Sequence, residues 1–150
     1  MISEIRNRVK DWLIAEGLYE TEAKNDDAHF NFVARHQDIV FHVFQPHSKR
    51  DSVLLVCSLE LNAEQKERIT KIEKLELYQK LLSMDSLFEF RPNISNLENI
   101  RIQDFIFYDG LTKNEFMKTI FRVLKAVQVV NSYIQPNKQS DVAPNSARIT

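Results

Sequence analysis

Glycine is nearly missing from this chain. There are two, Gly17 and Gly110, and each stands alone at the end of a periodic segment. Neither a Walker loop nor a dinucleotide fingerprint can be built from isolated glycines, so the commonest phosphate-cradling loops are excluded. Cysteine is scarcer still. Cys57 is the only one, which rules out an intramolecular disulfide and any multi-cysteine zinc site. No stretch approaches the ~20 apolar residues of a membrane span. The N-terminus, Met1-Ile2-Ser3-Glu4-Ile5-Arg6, is charged and lacks the apolar core of a signal segment. A cytoplasmic location is the expectation. Net charge is also lacking: −1 over 150 residues. Whole-chain attraction to nucleic acid or to an anionic membrane is not expected.

What the chain has is apolar residues at regular spacing, with ten phenylalanines. At 150 residues it is one domain by length. Such a domain buries about 70% of the surface its unfolded chain exposes. Ile2, Ile5, Val9, Trp12 and Leu13 fall on one face of a helix predicted over 3–16, which Gly17 ends. Three strands follow, over 30–34, 38–44 and 52–61. A segment at 19–23 extends the first backward, and Arg35-His36-Gln37 links the first two as a hairpin. In the third strand Val53, Leu55, Cys57, Leu59 and Leu61 alternate with Ser58 and Glu60, the period of a sheet with one buried face. Asn62 and Gln65 are spaced to open a second helix reaching Met84, with Ile69, Ile72, Leu75, Leu81 and Leu82 as its buried stripe. The fourth strand spans 87–91 and the fifth 100–108. The alternation of the fifth changes phase, which predicts a bulge near Gln103-Asp104. Thr112 and Glu115 make a capping box for a third helix. Its apolar face is Phe116, Ile120, Val123, Leu124, Val127 and Ile134, with Lys118, Arg122 and Lys125 opposite. The expected fold is therefore α+β: one antiparallel five-stranded sheet with three helices in the order α-β-β-β-α-β-β-α. The polar, aperiodic residues 136–150 read as a disordered tail behind a domain of 1–135.

Catalytic chemistry finds little support. His29, His36, His42 and His47 form no His-x-x-x-His pair, and a catalytic zinc site wants three rigidly held ligands, so no metal is expected. The serines lack a Gly-x-Ser-x-Gly elbow. Cys57 sits in an apolar run, which suits a buried small hydrophobe better than a nucleophile; pairing it with His42 requires both on one strand face. The basic stripe Lys118, Arg122 and Lys125 has no interleaved aromatics on its own face, so nucleic acid is not the expected partner. No cofactor is expected, and a non-catalytic role is favoured over an enzymatic one.

Strands two and five are apolar on both sides: Ile39-Val40-Phe41-His42-Val43-Phe44 and Phe105-Ile106-Phe107-Tyr108. A sheet with helices on one face leaves its other face to be covered by the second helix of the same chain, a partner subunit or a client peptide. Val40, His42, Phe44, Ile106 and Tyr108 are the expected open-face residues, and a protein or peptide client with a homodimer the expected partners. The competing expectation is a small-molecule binder or small enzyme with a cavity between sheet and helices.

The element order over residues 1 to about 135 is similar to the fold of class I type III secretion chaperones. Within it, the Trp12-bearing first helix, Val53-Leu54-Leu55-Val56, Phe105-Ile106-Phe107-Tyr108-Asp109-Gly110-Leu111 and the long last helix resemble an uncharacterised, mainly archaeal family grouped with that fold. The resemblance implies a homodimer that holds an extended, unfolded client segment. It carries no catalytic residues.

Overall fold

The computed structural model describes residues 2–48, 51–61, 64–65, 71–84, 87–92 and 98–134. Helix α1 (Ile2–Ala15) is followed by β1 (Tyr19–Glu22), β2 (Ala28–His36), β3 (Ile39–Pro46) and β4 (Ser52–Leu61). Then come α2 (Lys71–Leu82), β5 (Leu87–Pro92), β6 (Glu98–Phe107) and α3 (Lys113–Ile134). The predicted cap at Asn62, the side chains of Ile69 and Ile72, and the predicted tail 136–150 lie outside the described residues.

The fold is α+β, one antiparallel sheet with three described helices. The sheet order is β1-β2-β3-β4-β6-β5. It has six strands because Tyr19–Glu22 does not extend the first predicted strand but pairs against it, Glu22 opposite Phe32. The hairpin turns at Gln37-Asp38 rather than at Arg35-His36-Gln37, since His36 pairs with Ile39. Gln37 takes φ 56, the left-handed conformation a two-residue turn demands.

Helix ends follow their local sequence. Gly17 at φ 70 lets Leu18 N–H donate to Leu13 O (2.8 Å) and its own N–H to Ile14 O (3.0 Å). These two bonds satisfy carbonyls that α1 would otherwise leave open. Glu115 N–H donates to Thr112 Oγ1 (3.1 Å), so the capping-box threonine opens α3 as expected.

All three helices lie on one side of the sheet. Ile5, Val9 and Leu13 of α1, Leu77 and Leu81 of α2, and Phe116, Ile120, Val123 and Val127 of α3 join one core with Phe32, Phe41, Leu55 and Ile102. Trp12 packs on Phe116, ring centroids 5.5 Å apart, and ties α1 to α3. In α2 the expected stripe is corrected. Leu77 and Leu81 point inward, while Leu75 and Leu82 are exposed. Residues 77/81 and 75/78/82 form two apolar stripes on different sides of one helix, and spacing alone does not tell which is buried.

Candidate functional site

Side chains opposite each other across paired strands share a face, so register places the residues of the second sheet face. Val33, His42, Val56 and Gln103 form one row, and Asn31, Phe44, Leu54 and Phe105 the next. Val40 lies opposite Arg35, and Phe107 opposite Ser52. No described helix packs on this side. Val40 and Phe105 are exposed, and Phe107 keeps 54% of its surface in solvent. Phe105 and Phe107 meet edge to face at 5.2 Å. The result is an apolar surface crossing β2, β3, β4 and β6, with His42 near its middle.

Of the expected open-face residues, Val40, His42 and Phe44 are here, and Ile106 and Tyr108 are not. Ile106 is 8% exposed, in the core, opposite fully buried Val53. Tyr108 leans onto the core side, its hydroxyl donating to Oε1 of buried Gln45 and its N–H to Asp51 O (2.7 Å). Burial, aided by the Asp51 carboxylate, pushes the Tyr108 phenol up. The expected bulge is absent as well. β4 and β6 pair without a slip from Ser52 opposite Phe107 to Leu61 opposite Glu98. Ile100, Ile102, Asp104 and Ile106 therefore all face the helices, while Phe105 and Phe107 face away. A carboxylate at an inward position had imitated a phase change. Asp104 is tolerated there because Arg122 Nη1 donates to its Oδ2 (3.0 Å) and Phe105 N–H to its Oδ1 (2.8 Å).

Two titratable side chains weighed for chemistry, His42 and Cys57, lie in or near this face. His42 is half-buried and pairs through Nδ1 with Asn31 Oδ1 (3.0 Å), an acceptor. Burial lowers its pKa, so the ring is neutral at neutral pH. Cys57 is on the opposite side, because His42 faces Val56 and the pleat turns the next residue over. The thiol donates to Val40 O (3.4 Å), and burial pushes its pKa up to about 11. The cysteine–histidine pair weighed from the sequence does not form.

The four histidines are dispersed. His29 and His47 stack at one sheet end (4.1 Å), and His36 meets Phe121 of α3 (6.2 Å). Among the described residues no group of three or more His, Cys, Asp or Glu side chains could hold a metal ion. Two open clefts mark the surface. One, about 420 Å³, lies along residues 22–31; the other, about 470 Å³, lies between Ser83-Met84 and Lys118, Phe121, Arg122 and Lys125. No described helix is long and apolar enough to cross a membrane.

A family model described as "Uncharacterized conserved protein (DUF2299)" matches residues 5–134. Among solved structures, an uncharacterized protein from Methanothermobacter thermautotrophicus is similar, with TM-score 0.75 and 28% identity over 88% of this chain and 97% of that one. YbjN from E. coli, described as a putative transcription regulator, aligns at TM-score 0.48 and 13% identity over 90% of this chain and 92% of that one. No curated protein matches the chain.

Proposed function

The chain belongs to this uncharacterized conserved family, and we propose that it is a non-catalytic protein-binding module. It holds an extended client segment against the open face of its sheet, in the manner of the secretion-chaperone fold it resembles. The observation that carries this reading is the apolar surface of Val40, Phe44, Leu54, Phe105 and Phe107, which faces away from every described helix. Exposed apolar surface of this kind marks interaction sites, because leaving it in water costs about 25 cal/mol per Å². The edge strand β1 is an unsuitable entry. It is four residues long and carries Glu20 and Glu22, paired to Arg35 and Arg6. Side-chain burial on the face, not strand addition at β1, is the mode proposed.

The test uses a reduced and alkylated, permanently unfolded reporter protein, with complex formation read by fluorescence anisotropy. The native chain binds it. Val40→Ser with Phe107→Ser loses binding while the melting temperature stays within a few degrees. Binding unchanged by that double substitution contradicts the proposal.

A second surface favours the homodimer. Leu75, Tyr78 and Leu82 present an apolar stripe on α2 at spacings of three and four. A second copy packed on this stripe leaves the sheet face free. Light scattering then gives a dimer mass, and Leu75→Glu with Leu82→Glu gives a monomer that still binds the reporter.

The rival reading, a small-molecule binder or enzyme with an internal cavity, has less support. Phe32, Phe41, Leu55, Phe116 and Ile120 are fully buried between sheet and helices. Both clefts described lie at the surface.

A further inference from the structure

We infer that the cleft between the end of α2 and the middle of α3 is a second docking site, for a short acidic segment carrying one apolar side chain. It lies outside the sheet face and does not depend on it. Its walls are Ser83 and Met84 on one side and Lys118, Phe121, Arg122 and Lys125 on the other. The three cations sit at i, i+4 and i+7, along about 10 Å of helix axis. Phe121 stands among them, 51% exposed, with the His36 ring perpendicular to its own at 6.2 Å, which corrects the expectation that this basic stripe carries no aromatic.

Internal partners do not account for all of this charge. Asp104 takes one nitrogen of Arg122, at 3.0 Å. Lys118 meets Glu115 at 3.6 Å, an exposed and solvent-screened pair that a bound carboxylate readily replaces. Lys125 has no ion-pair partner among the described residues. The C-terminal end of α2 contributes only about half a negative charge. Among the described residues the cleft remains positive, with Phe121 and Met84 as its apolar lining. Carboxylates on a bound segment would meet Lys118 and Lys125, and an apolar side chain between them would cover Phe121.

Single-stranded nucleic acid fits less well. Such sites track several nucleotides with successive aromatic rings, roughly 4–16 nucleotides per module. Here one ring stands in a short cleft, and the whole chain carries net charge −1.

The test uses a fluorescein-labelled peptide of four glutamates around one tryptophan, its glutamine counterpart, and a single-stranded oligothymidylate. The acidic peptide binds at low ionic strength and weakens with salt. Lys125→Glu and Phe121→Ser each weaken it about tenfold, with far-UV circular dichroism unchanged. Phe107→Ser, on the sheet face, leaves it unaltered, so failure here is distinguishable from failure of the proposed function. Equal binding of the glutamine peptide, preference for the oligonucleotide, or indifference to either cleft substitution overturns the inference.

Discussion

Asp104 on β6 and Arg122 on α3 are joined across the sheet–helix boundary, Oδ2 to Nη1 at 3.0 Å, from a strand position that faces the core. Removing either partner leaves the other charge poorly satisfied. Asp104→Ala is expected to cost about 1–2 kcal/mol, since the carboxylate is mostly buried while the guanidinium is partly in solvent. Urea denaturation of the two single variants and the double variant measures the coupling, which should be positive and below about 2 kcal/mol. Zero coupling would mean that Asp104 does not hold Arg122 in solution.

The register of β6 separates neighbouring residues sharply. Ile106→Ala should destabilise by about 2–4 kcal/mol, because it opens a cavity in the packed core. Phe107→Ala, on the open face, should cost less than about 1 kcal/mol. Equal losses would place a bulge back in the strand.

Cys57 should behave as an inert thiol. Its raised pKa, about 11, keeps it protonated at pH 8, so a thiol reagent should react slowly with the native chain and rapidly in denaturant. The unfolded thiol ionises near 9.0 and the folded one later, so its contribution to stability is lost as pH rises through that window. Fast native modification would contradict the burial described.

His42 produces the opposite trend. Its folded pKa lies below 6.5, so on acidification the unfolded state takes up the proton first. Its contribution is present above pH 6.5 and declines as pH falls below it. His42→Gln should flatten that part of the stability profile, measured by thermal melts across pH. A native profile already flat there would mean that the ring is solvated.

Local signals made much of this fold legible. Gly17 at a helix end, the Thr112–Glu115 spacing and the alternation of β4 each depend on a few adjacent residues, and each forms as read. Three features depend on partners distant in sequence. Tyr19–Glu22 becomes a strand of its own because Phe32 and Ala34 pair with it. Leu75 and Leu82 turn outward because Leu77 and Leu81 fit the core better. Asp104 points inward because Arg122, eighteen residues later, meets it there. The last fact also explains the candidate surface. Val40, His42 and Phe44 were legible on a strand that no carboxylate interrupts. Ile106 and Tyr108 were exchanged for Phe105 and Phe107 on the strand that a buried carboxylate interrupts.

The most direct test of the central claim is site-specific photo-crosslinking. A photoreactive phenylalanine analogue replaces Phe107 on the open sheet face, or Ile14 on the exposed side of α1, and each protein is irradiated with the unfolded reporter. An adduct is expected from position 107 and none from position 14. Equal adducts from both positions, or an adduct only from position 14, would contradict it.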